Sequence, residues 1–124
     1  MRLRPRQRLR TGAEFDTVFK RGTRLDGRLF LLVAVPNGRA FDRLGLAVSR
    51  RVGGAVGRNR ARRLLREGFR GLERRPRPGF DLVVVARVPL AGQGQAEVDR
   101  EIRERVRRLP RPSGAGGPAS APAR

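Results

Sequence analysis

Gly57-Arg58-Asn59-Arg60-Ala61-Arg62-Arg63-Leu64-Leu65-Arg66-Glu67-Gly68-Phe69 is the stretch on which the reading of this chain turns. At about 100° per residue, Ala61, Leu64, Leu65, Phe69 and Leu72 fall on one arc of a helix, and Asn59, Arg62, Arg63, Arg66 and Arg70 on the opposite arc. One flank suits a core; the other is a strip of guanidinium groups, planar and permanently charged forks that match phosphate oxygens and base edges. No acid interrupts the strip, since Glu67 falls beside the apolar arc. Solvated helix faces also carry charge runs, but they mix signs, as the last helix of this chain does, whereas this strip has one sign. The partner it suggests is a polyanion, with nucleic acid ahead of a merely basic surface or an anionic membrane.

Composition bounds the rest. The 124 residues suffice for one domain of modest core. They carry 30 Lys+Arg against 11 Asp+Glu, a formal charge of +19, and Lys20 is the single lysine. Such an excess opposes compaction by self-repulsion and is relieved when phosphates gather on the surface, so some flexibility without the partner is expected. Cys and His are absent, which removes thiol nucleophiles, the usual zinc ligands, disulfides and the commonest general base. No apolar run is long enough to span a membrane, and no signal-peptide apolar region follows the basic N-terminus. The expectation is a cytoplasmic protein.

Residues 1–10 alternate Arg with other residues around Pro5, and read equally as a cationic tail or as an extended arm laid along phosphates. The folded domain is expected over 11–109. Thr11 and Glu14 match a capping box that opens a helix ending near Gly22. Phe15 and Phe19 share a face of that helix, as a core staple or as a stacking platform for bases. Leu29–Val35 is an apolar run closed by Pro36-Asn37-Gly38, a buried strand and turn. Leu44–Arg50 is the second strand; Gly45, Ala47 and Ser49 leave one side of it nearly flat, open to close approach by a packed helix or something else.

Arg50-Arg51-Val52-Gly53-Gly54 then delivers the chain to the arginine helix, with amides that suit a phosphate. After a linker over 73–79, Phe80–Ala86 is almost continuously apolar, as a central strand is. Gln95–Leu109 is the final helix, with Val98, Ile102 and Val106 inward and Asp99/Arg103, Glu101/Arg105 and Glu104/Arg108 spaced as i,i+4 pairs, each worth about 0.2–0.5 kcal/mol. Residues 110–124 have nothing with which to form a core and read as a disordered tail. The order is α-β-β-α-β-α, a single α+β domain on a small mixed sheet.

With those elements in place, four segments resemble the protein component of bacterial ribonuclease P, in the same order and spacing. They are Phe15-x-x-x-Phe19-x-x-Gly22, the run from Leu44 to Gly53, the run from Ala55 to Phe69 around Arg58-Asn59-Arg60, and Asp81 to Arg87. The match spans roughly Arg8 to Leu109. The resemblance implies a fold like the second domain of a small-subunit ribosomal protein, with a left-handed βαβ crossover against the usual hand. It implies a subunit that joins a catalytic RNA to remove the 5′ leader of precursor tRNA, the RNA holding Mg²⁺ and performing the hydrolysis. The expected partners are therefore ribonuclease P RNA and precursor tRNA, with no membrane and no required protein partner.

The resemblance further implies a leader cleft between the arginine helix and one sheet face. Phe15, Phe19, Val33, Ala47, Arg58, Asn59, Arg62 and Arg66 would line it, and Arg50, Arg51, Arg60 and Arg63 would meet RNA. It also favours a base-facing role for Phe15 and Phe19. Val33 departs from the aromatic residue common there in relatives, and Ala47 lacks a hydroxyl that some offer, which leaves the preferred leader bases open but not leader binding. No catalytic residue and no metal site is expected in the protein, because a two-metal nuclease needs gathered carboxylates and the acids here are scattered. Readings from other classes are a ribosomal protein or RNA chaperone and a DNA-binding architectural protein.

Overall fold

The computed structural model describes Leu9, residues 12–71 and residues 79–109. The rest of the basic arm, the Thr11 cap, Leu72, most of the linker and the tail lie outside the described residues.

Helix α1 (Gly12–Arg21) leads into strand β1 (Thr23–Asp26), which pairs antiparallel with β2 (Phe30–Pro36). Glycine is required at the corner between α1 and β1: a Cβ on Gly22 would lie 2.6 Å from both the Val18 carbonyl oxygen and Val33 Cγ1. Strand β1 is absent from the expected order. Its four residues, Thr-Arg-Leu-Asp, carry two charges and one large apolar side chain, too little for a periodicity, and it exists because β2 offers an edge to pair with.

After the turn at Gly38, whose φ of 71° suits glycine, comes β3 (Arg43–Ala47), then α2 (Ala55–Arg70) and β4 (Phe80–Ala86). A 3-10 turn (Val88–Gly92) and helix α3 (Gln95–Arg107) complete the chain's described elements. The sheet order is β1-β2-β4-β3, with β4 antiparallel to β2 and parallel to β3. β4 is therefore interior, as its apolar run predicts, and six of its seven residues are buried.

Alternation along the strands divides the core into two layers. Phe30, Leu32, Leu44, Leu82 and Val84 face one way, where they meet Ala61, Leu64, Leu65 and Phe69 of α2 and Val98 and Ile102 of α3. Full burial of a side chain such as Leu65 contributes about 1.5–3 kcal/mol, and this layer holds most of the core. Gly68 sets the helix crossing: a Cβ there would run into Ile102 Cδ1 and approach Asp99 Oδ1. On α3, Asp99 accepts from Gln95 Nε2 one turn earlier in the same helix at 2.8 Å, whereas Glu101 accepts the Leu29 amide at 2.8 Å and so ties the helix to the start of β2.

The opposite sheet face carries a smaller layer. Val33 and Val83 pack there under Val18 of α1 and Leu9, with Phe15 and Phe19 half-buried around them. The flat side of β3 is explained here, because a Cβ on Gly45 would sit 2.6 Å from Phe15 Cζ. The close approach is made by a packed helix. Leu9 reaches the outer edge of β3, its amide donating to the Leu44 carbonyl at 3.0 Å.

Candidate nucleic-acid interface

Because the apolar arc of α2 is spent on the sheet and α3, the opposite arc must face outward. Asn59, Arg63 and Arg66 are exposed and Arg58 and Arg62 half-exposed. Asn59 orients one neighbour, its Oδ1 accepting from Arg62 Nη1 at 3.0 Å. One expectation about the strip needs correction. Glu67 does reach the strip, pairing with Arg70 Nη2 at 2.8 Å, so the one-signed surface ends a turn early. Arg70 accordingly holds the Glu67 carboxyl below the ordinary carboxylate range, first through that hydrogen bond.

Arg60 also has protein partners. It turns inward along the protein surface: Nη2 donates to the Gln93 carbonyl at 2.6 Å and Nη1 to that of Ala91 at 3.3 Å, clamping the 3-10 turn onto α2. Arg50 and Arg51 are exposed on the turn between β3 and α2, which is fixed by Val52 and Gly53 amides donating to the Ser49 and Arg50 carbonyls.

The expected cleft between the arginine helix and a sheet face is also corrected. Ala61, Leu64, Leu65 and Phe69 fill that space, whereas Phe15, Phe19 and Val33 belong to the other face of the sheet. Ala47 shares their face through its place two residues from Gly45. Edge strand β3 separates the two surfaces, and the Arg50-Arg51 turn follows directly from its end. Val33, fully buried, packs beneath Val18 of α1 and supports this face from below. Phe15 and Phe19 are each half-buried and pack against the small layer, as a core staple does.

A polar network that the sequence reading missed fixes this face. Arg43 Nε and Nη2 fork onto the two carboxylate oxygens of Asp81 at 2.8 and 2.6 Å, while Nη1 reaches Glu14 of α1 at 3.3 Å. Asn37 Nδ2 donates to the same Asp81 at 2.9 Å. Asp81 is the one buried charged residue among those described. Its hydrogen bonds, against the desolvation of Arg43, hold the guanidinium above its ordinary value. A carboxylate inside a strand read as buried demands a base; that was the available signal.

Arg24 was missed as well. It lies over the Phe19 ring, 5.8 Å from the centroid. Among the described residues no group of three or more His, Cys, Asp and Glu is placed to hold a metal ion, and no helix is long and apolar enough to cross a membrane.

A family profile described as Ribonuclease P matches residues 3–110. The ribonuclease P protein component of Shouchella clausii is 47% identical over 88 residues, covering 70% of this chain and 72% of that protein. That of Geobacillus thermodenitrificans is 34% identical, covering 86% and 88%. The solved ribonuclease P protein of Thermotoga maritima superposes with a TM-score of 0.73 at 31% identity, over 89% of this chain and 98% of that one. Arginine helix, four-stranded mixed sheet and matched length agree, and the chain belongs to the ribonuclease P protein component family.

Proposed function

We propose that this chain is the protein subunit of a ribonuclease P holoenzyme, binding the catalytic RNA and the 5′ leader of precursor tRNA while the RNA cuts. The observation that carries the reading is the division of α2, one flank buried in the core and the other an outward strip holding Arg58, Asn59, Arg62, Arg63 and Arg66. Arg50 and Arg51 extend that strip toward β3 and the face that holds Phe15, Phe19 and Ala47. The leader would lie on this second face, around the half-exposed Phe15 and Phe19. Mg²⁺ belongs with the RNA in this reading. Asp81 and Glu14, the acids that meet on the α1 face, are both engaged by Arg43, so they do not form a free carboxylate set for a metal.

The mechanism is differential binding. A precursor offers the protein its leader and mature tRNA does not, so holding the leader favours substrate over product without any chemical step in the protein. Leader-length titration tests it: affinity should rise as the leader grows from one nucleotide to several. Equal affinities would sink the leader assignment.

A second outcome concerns the strip. Arg62→Ala with Arg66→Ala should weaken precursor binding and lower the slope of log affinity against log salt by about 0.7 for each single-strand phosphate no longer neutralised. The rate of the chemical step at saturating precursor should not change, and its loss would argue against chemistry residing in the RNA.

A further inference from the structure

Which flat groups does the α1 face offer a nucleobase? Val33 offers none, being fully buried. Phe15 is committed to β3, with its ring tip against the Gly45 backbone and Leu9 beside it. Phe19 packs partly into the small core layer, and the guanidinium of Arg24 lies over its ring. The outermost planar group on this part of the surface is therefore a guanidinium.

Its position is set by the backbone. β1 pairs with β2 so that Arg24 stands opposite Val33, on the α1 side of the sheet, and Leu25 turns the other way into the larger core. Arg24 is exposed. The acid best placed to neutralise it is Asp26, two residues on and on the same side of the strand, but Asp26 is taken by Arg87. Arg24 makes no ion pair among the described residues.

We propose that Arg24, held over Phe19, is a stacking platform for one base of the single-stranded 5′ leader. The inference rests on the proposed placement of the leader on this face. An arginine plane takes any base by stacking, and its edge N–H groups remain free to meet the adjoining phosphate. The ring behind it restricts the side chain before the base arrives, which lowers the ordering cost that a free arginine would incur on binding. The recognised ligand is a nucleotide unit of unpaired RNA, with little preference among bases.

The test uses full-length chain reconstituted with a bacterial ribonuclease P RNA, as wild type, Arg24→Ala and Arg24→Lys. The probes are mature tRNA, a precursor with a leader of several nucleotides, and the same precursor with an abasic nucleotide at each leader position in turn. Arg24→Ala should weaken the intact precursor by about tenfold, the worth of one stacked base, and leave mature tRNA unchanged. Arg24→Lys keeps the charge without the plane and should remain several-fold weak. At one leader position the abasic change should cost wild type as much as Arg24→Ala does, and cost the Arg24→Ala protein nothing further.

Lysine binding as well as arginine would reduce Arg24 to a phosphate contact and overturn the proposal. So would an abasic scan with the same profile in wild type and variant. If wild type shows no preference for precursor over mature tRNA, the leader reading itself has failed. A preference that survives intact in Arg24→Ala removes the platform alone.

Discussion

Arg43 and Asp81 face each other across a parallel strand pair, and removing either leaves the other charge buried. Asp81→Ala would abandon a guanidinium only 17% exposed to Glu14 alone. Breaking such a pair costs about 3–5 kcal/mol when fully buried, and we expect roughly 2–4 here. A lower urea midpoint with unchanged slope checks it. The Glu67–Arg70 pair behaves differently because it is near solvent. Arg70 lowers the Glu67 pKa, so the pair adds stability above the ordinary glutamate value of about 4.3 and loses it as pH falls through the lowered one. Thermal midpoints of wild type and Arg70→Gln should differ at neutral pH and converge in acid; a constant gap would contradict the pairing. A helical wheel places Glu67 beside the apolar arc, yet it does not show that a side chain one turn away can swing to it. Nor does it show where Arg60 points, because its acceptors lie on a segment 31 and 33 residues further along.

Among the elements, α2 and α3 were legible by their helical period, and β2 and β4 by apolar runs of strand length bounded by turn residues. α2 runs Ala55–Arg70 and encloses the whole of Gly57 to Phe69, and β4 matches the expected Phe80–Ala86. β1 was illegible: four residues with alternating partial burial carry no such signal. That α2 and the Phe15–Phe19 pair lie on opposite faces of the sheet was illegible for a related reason, since periodicity tells which side of a helix is apolar but not which face of the sheet it covers. The α2–α3 crossing supplies a test at this scale. Gly68→Ala improves helix propensity by about 1 kcal/mol, but its methyl would collide with the Cδ1 of Ile102, a fully buried side chain that must shift within the core. Overpacking of this kind costs about 1–3 kcal/mol, so the net effect should be a loss of stability. A rise in thermal midpoint would show that α3 yields.

For the molecule as a whole, charge is the dominant fact: a surplus of 19 positive charges on 124 residues. The free chain should therefore gain thermal stability from sulfate or phosphate beyond what chloride of equal ionic strength provides, since multivalent anions relieve repulsion more effectively. Equal effects would mean that the surplus is already dispersed. This property was fully legible in composition, whereas sheet order was not, because β4 inserts between strands made long before it. Arg43 and its partner Asp81 are 38 residues apart. During synthesis, β2 and β3 leave the ribosome with an unfilled gap between them, and the basic helix follows before the filler strand does. A nascent chain halted before Phe80 is thus no smaller version of the domain, only a hairpin, a loose edge and an arginine-rich segment without a floor.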